Sequence, residues 1–398
     1  MSTSALMQIR AIPPAPPAGW ALWQLGFRPF YLGASLFAAL SVGLWTAQMS
    51  GWITHPYLAG PVWHAHEMLF GFALAVIVGF LLTAGQSWSG RPTPTGPKLM
   101  ALAFLWVAGR VLVLTPFGWA AAVVNTAFPF AAAIALAIPF IAAGNKRNYF
   151  FIGLLCALGV AAALMHLSQL GVLAFPQWAG IRAGLDVVLF IMVVMAGRVI
   201  PMFTNNGAPG AGAVRNDSVE KLALGSTLLL LGADVLQLSG LPLAVVTGVA
   251  ALTHAVRFGL WRPWKTLHVP IVWVLHAAYA WIPLHLLLRA LAESGVVAGN
   301  LATHALTVGA IGTLTIGMMT RTARGHTGRP LQADAWDTAC YLLIVAAALV
   351  RVALPLVVPS VYMLSVALSG LLWSTGFGLY AIRYWPVLTR PRLDGKPG

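Results

Sequence analysis

Two imidazoles and a carboxylate sit at the head of a long apolar run, in Trp63-His64-Ala65-His66-Glu67, and hydrocarbon side chains dominate from there to Ala84. Ionisable groups in such a place have little water to hydrate them, so they mark a metal, a proton route or a buried polar network. Neutral imidazole is a ligand for iron and copper, which makes His64, His66 and Glu67 candidate metal ligands. On one helix His64 and His66 point about 200° apart, so one iron can face only one of them unless His64 precedes the first turn.

The elements that carry these residues are membrane spans. The 398 residues are 59% hydrophobic and only 8% charged, with a mean hydropathy of +0.84. Soluble domains carry charge on about a quarter of their residues. Apolar runs fall near residues 24–48, 61–84, 98–116, 119–142, 149–173, 180–202, 218–238, 242–261, 267–292, 298–320, 333–356 and 360–384. The fold class read from them is an all-α integral membrane protein of about twelve transmembrane helices. Residues 1–23 form an N-terminal segment with a proline cluster at Pro13 to Pro17, 24–385 one membrane domain and 386–398 a basic tail. Without a compact positive-then-apolar leader, the first helix reads as a signal anchor.

Lysines and arginines fall in alternate loops, from Arg10 and Arg28 through Lys146 and Arg147 to Arg383 and Lys396. By the positive-inside rule both termini are cytoplasmic, and His64, His66 and His304 then open helices that start at the outer face. The same topology accounts for the net charge of +14 without nucleic acid. His166 and His285 lie in the outer half, His276 near the midplane, and His254, His268 and His326 toward the inner face.

Displacing the sequence on itself by 238 positions sets His66 on His304, Gly71 on Gly309, Gly79 on Gly317 and Gly90-Arg91-Pro92 on Gly328-Arg329-Pro330. These residues lie on the second and tenth helices, a spacing that divides the chain into three sets of four about an axis along the membrane normal. The sixth helix, with Gly197-Arg198-Val199-Ile200-Pro201, occupies the place between. His66 and His304 become equivalent, at one depth, and suit two axial ligands of one b-type haem walled by Trp63, Phe70 and Phe72. His64 is left for copper or for a hydrogen bond behind the haem ligand.

Other polar residues are weaker candidates. His276, with Tyr279 nearby and Pro283 loosening the helix above, is a cofactor or metal ligand candidate; His285 shares a face with Arg289 and Glu293 in an outer polar network. His254 beside Arg257, His326 and Arg198 are secondary candidates, read first as interfacial groups. His55, His166 and His268 read as structural. Glu67, Asp186 and Asp234 need cations in the membrane, with Arg110, Arg182 and Arg351 available. Pro201 to Asn206 reads as a polar loop, and Cys156 and Cys340 as small buried hydrophobes.

Several long motifs resemble the NnrS family: Gly26-Phe27-Arg28-Pro29-Phe30, Trp63 to Met68, Gly79 to Thr83, Gly197 to Asn206, His304 to Gly312 and Gly325 to Pro330. That resemblance spans nearly the whole chain. It implies a bacterial inner-membrane protein that carries haem and copper and is linked to nitric oxide metabolism in denitrifiers and to relief of nitrosative stress. A weaker likeness, to the catalytic subunits of haem–copper oxidases, fits the three four-helix sets. It fails at the tenth helix, which lacks His-x-His, and at the sixth and seventh, which lack histidine.

The expectation is a haem b and copper protein of the bilayer that binds nitric oxide and helps to remove or reduce it. Joining two NO into N₂O takes two electrons and two protons, drawn from quinol or another outside donor. The rivals are a polytopic transporter, which twelve spans with internal repeats would equally describe, and a non-catalytic NO- or metal-binding protein.

Overall fold

The computed structural model describes residues 19–396, all of them helical or in short connections. Arg10, the Pro13 to Pro17 cluster and the last two residues lie outside the described residues. Twelve helices are present among them: α1 Phe27–Met49, α2 Gly60–Ser89, α3 Gly96–Leu112, α4 Gly118–Ala142, α5 Phe150–Gln169 and α6 Gln177–Gly207, then α7 Asp217–Val235, α8 Leu241–Leu260, α9 Pro270–Glu293, α10 Gly299–His326, α11 Ala335–Val357 and α12 Tyr362–Thr389. Each expected run is a helix, and ten of the twelve stretches are long and apolar enough to cross a membrane. The segment expected as a loop from Pro201 forms about the last two turns of α6. Asn205 closes that end by exchanging hydrogen bonds with the backbone of Ala213 at 2.8 and 3.0 Å.

Consecutive helices pack on one another, and α12 returns to α1, so the chain closes into a ring. Within it α2, α6, α9 and α10 are innermost: 61–78% of their most apolar windows is buried against other helices, compared with 33–44% in the other spans. A cavity of about 80 Å³ lies between α2, α6 and α10. Ala73, Val76, Ile77 and Phe80 of α2 line it together with Ile311, Leu314, Thr315 and Met318 of α10, each pair separated by the same 238 positions as His66 and His304.

Neighbouring contacts repeat as well. Gly79 packs on Phe30 and Tyr31 of α1, and Gly317 on Val274 and Leu275 of α9; Gly71 meets Phe37 of α1, and Gly309 meets Trp281 of α9. In all three contacts the α1 residue maps onto its α9 counterpart by 244 positions. Two copies of a helix pair therefore stand around one axis with glycines seating the same neighbours. Gly309→Leu should cost at least about 1–3 kcal/mol, because Trp281 already fills the space a side chain needs. A lowered thermal midpoint in detergent would show it, with Gly225→Leu, which meets nothing, as the neutral control.

Both equivalent helices are distorted at the same place. α2 is π-helical over Glu67–Ala73, directly after His66, and α10 over Ala305–Gly312, directly after His304. Such widened turns are uncommon and gather at functional sites. They also leave carbonyls for outside donors: the Phe70 carbonyl accepts from Arg110 Nη1 and the Gly71 carbonyl from Trp106 Nε1, both at 2.9 Å. Thus the π stretch of α2 fixes the side of α3 that faces it.

Candidate metal centre

His66 is fully buried, and both of its ring nitrogens are engaged. Nδ1 lies 2.7 Å from Glu67 Oε1, and Nε2 lies 3.1 Å from Nε2 of His166 on α5. Glu67 is held in turn by Arg110, whose Nε stands 2.8 Å from Oε2. Arg110 completes its fork with the Phe70 carbonyl and with Asn125 Oδ1 on α4. At the far end, the Tyr57 hydroxyl lies 3.2 Å from His166 Nδ1 and 3.3 Å from the His166 carbonyl. One chain of polar contacts thus runs from half-buried Tyr57 through His166, His66, Glu67 and Arg110 to Asn125, the last five all buried.

Proton positions follow from the charges. Arg110 keeps Glu67 as an acceptor, so His66 donates from Nδ1 and offers the lone pair of Nε2. The carboxylate thereby sets the tautomer in which Nε2 can ligate a metal. Metal–imidazole bonds of about 2.0–2.1 Å at a tetrahedral angle put two nitrogens roughly 3.3 Å apart. The observed 3.1 Å is within a small ring movement of that span. His166 can give up its Nε2 proton by changing tautomer, donating from Nδ1 to Tyr57 while the phenol turns to the His166 carbonyl. The residues therefore fit a metal held by two imidazoles, with no net proton lost on binding. Among the described residues no third His, Cys, Asp or Glu joins them, so the remaining positions are open to outside ligands.

Tyr57 lies in the connection before α2, where burial pushes its phenol up to about 12 from 10.0. It is therefore a neutral donor and acceptor at physiological pH. Its stabilising contribution is fully present below pH 10 and lost as the pH rises to about 12, and Tyr57→Phe should remove that component from a thermal-midpoint profile. The same variant should weaken metal binding about 10–100-fold, measured by chelator competition, because Nδ1 of His166 loses its acceptor.

The expected pairing of His66 with His304 is not what the side chains form. Seven residues separate His66 from Ala73 on the cavity wall, nearly two turns of an α-helix, which would set both on one face. A π turn rotates each residue through roughly 85° rather than about 100°, so the stretch from 67 swings His66 about a quarter turn off the axis. It then faces α3 and α5. His304 is turned in the same sense: it donates from Nδ1 to the Asn300 carbonyl at 2.6 Å and stands within electrostatic reach of Arg351 on α11 and of His64. His64 is inside the helix, not before it, and stacks on Trp45 with ring centroids 4.6 Å apart. His64 and His66 thus serve opposite sides of α2.

Other candidates have local partners. His276 lies six residues into α9, bonded through Nε2 to Thr204 at 2.7 Å, nearer the end with the cationic loops than the midplane expected for it. His285 bonds the Ala302 carbonyl at 2.7 Å. His254 bridges Tyr279 and Thr227, beside the ion pair of Arg257 with Glu220. His326 packs on Phe27, and Arg198 bonds Asn148 and lies over Phe150 and Phe151. Glu67 takes Arg110, one of its expected cations, whereas Asp234 and Asp186 both turn to Arg289 of the outer network. Arg289 reaches across from α9 because it follows His285 by one turn on the same face.

The NnrS protein family model matches residues 21–392, nearly the whole chain. The chain belongs to the NnrS family. No curated protein matches it. The family match covers α1 to α12, so α5, which supplies His166, lies within it like α2.

Proposed function

We propose that this NnrS protein is a metal-carrying membrane protein of nitric oxide metabolism that holds copper between His66 and His166 and binds NO there. The observation that carries the reading is the facing pair of Nε2 atoms at 3.1 Å, one of them oriented by an arginine-held carboxylate. Copper in that place would supply a one-electron centre with coordination positions open to NO. Glu67 keeps His66 in the ligating tautomer, Arg110 pairs with Glu67, and the Tyr57 hydroxyl accepts a hydrogen bond from His166 Nδ1–H. Phe70, buried and with its ring 5.3 Å from that of His66, would form an apolar wall beside the metal.

A haem shared by His66 and His304 does not fit this arrangement, because both nitrogens of His66 are turned to Glu67 and His166. We assign the haem b expected for the family to His304 instead, whose backbone-held Nδ1 would leave the Nε2 lone pair free to ligate iron. His276, with Nδ1 buried and unbonded, is the alternative imidazole. Removal of NO by reduction would consume two electrons and two protons for each pair of NO, giving N₂O and water, with quinol as the class of donor. Both termini are assigned to the cytoplasm of a bacterial inner membrane from the alternation of basic loops.

The test is metal and optical analysis of purified protein during NO titration. The reading expects copper, a Soret band that His304→Ala removes and His66→Ala leaves, and a copper signal altered by NO. A protein that takes up no copper and shows no spectral response to NO would overturn it.

A further inference from the structure

The two repeats differ at the residue after the histidine they share. In the first, Glu67 neutralises Arg110 of the following helix; in the second, Ala305 stands at the equivalent position and Arg351 of the following helix pairs with no carboxylate among the described residues. Arg351 is 7% exposed, donates from Nη2 to the Tyr362 hydroxyl at 2.9 Å and lies over that ring, while its Nη1 is buried and unbonded. His64 and His304 both stand within electrostatic reach of it. Close by, His64 Nδ1 and the indole N–H of Trp45, which stacks on His64, are also buried without partners. A buried guanidinium with unspent donors and no counter-ion is costly in a membrane interior, and the same geometry with Glu67 shows what satisfies it.

We propose that Arg351, together with His64 and Trp45, binds the negative group that Ala305 fails to supply: a carboxylate or a small planar oxyanion. A planar ligand of this kind matches the guanidinium fork and takes a second hydrogen bond from the indole or imidazole. The chemistry is common to two sources, a free anion and the propionate of a haem bound at His304. The site itself does not depend on the copper assignment at His66 and His166.

The experiment is calorimetric titration of the full-length protein in detergent with formate and with nitrite, in haem-free and haem-loaded preparations. Saturable binding to haem-free protein is expected, weakened at least tenfold by Ala305→Glu, which restores the internal counter-ion, and by Arg351→Gln. Binding that persists after haem loading identifies the free anion, and binding blocked by haem identifies the propionate; either supports the site. The proposal fails if the haem-free wild type binds neither probe, or if both variants bind as the wild type does. Should Ala305→Glu not fold, Arg351→Gln alone decides. His166→Ala must leave anion binding intact, which separates this site from the metal centre.

Discussion

Replacing His166 with alanine is expected to strip the protein of copper as completely as replacing His66. The two imidazoles present Nε2 atoms to each other at 3.1 Å, and among the described residues no cluster of three or more His, Cys, Asp or Glu forms around them. Loss of a supporting group behind a ligand costs about 10–100-fold in affinity, so loss of one of only two ligands should exceed the upper end of that range. His285→Ala, whose ring is bonded to a backbone carbonyl of α10, should retain copper in full. Equilibrium dialysis against a chelator measures all three. Wild-type copper content in His166→Ala would remove α5 from the site.

Arg110→Ala carries the second large effect, and it acts on stability. The guanidinium serves Glu67, the Phe70 carbonyl and Asn125 at once, all within the buried interior. Removing it strands a carboxylate in a dry site, for which about 3–5 kcal/mol is the usual cost of breaking one half of a buried pair. The thermal midpoint should fall by several degrees. The double variant Glu67→Gln/Arg110→Ala should recover much of that loss, since no charge is left uncompensated, yet bind copper poorly because His66 no longer has an anionic acceptor. Equal midpoints for wild type and Arg110→Ala would mean that the ion pair contributes nothing to the fold.

The twelve helices were legible because each apolar run must satisfy its own backbone in lipid, and the repeat because glycines at helix contacts tolerate few substitutes. Both survive in the structure down to the residues that line the axial cavity. What pattern could not convey was the direction in which His66 points. Period 3.6 places it over Ala73 and hence on the axis, where His304 would face it; only the π stretch, which leaves the same apolar composition as an α turn, rotates both away. The two helices thus stand in equivalent places about the axis, while the side chains of His66 and His304 take different partners.

His166 was missed for a related reason. Alone on an apolar face, a hundred residues from His66, it carries no local signal, and helix order does not say which face of α5 turns to α2. Its depth was the available clue, since topology already put it in the outer half with His66. Conversely Glu67 and Arg110 were readable as partners, because a carboxylate in a span requires a cation at the same depth.

The proposed copper has two protein ligands, the imidazoles of His66 and His166. Pulsed EPR of the copper-loaded protein, reading the hyperfine couplings of the remote imidazole nitrogens, tests it most directly. The account predicts two coupled imidazoles in the wild type, at most one in any copper left on His166→Ala, and two in His304→Ala. Two imidazoles persisting in His166→Ala, or a signal lost in His304→Ala, would contradict it.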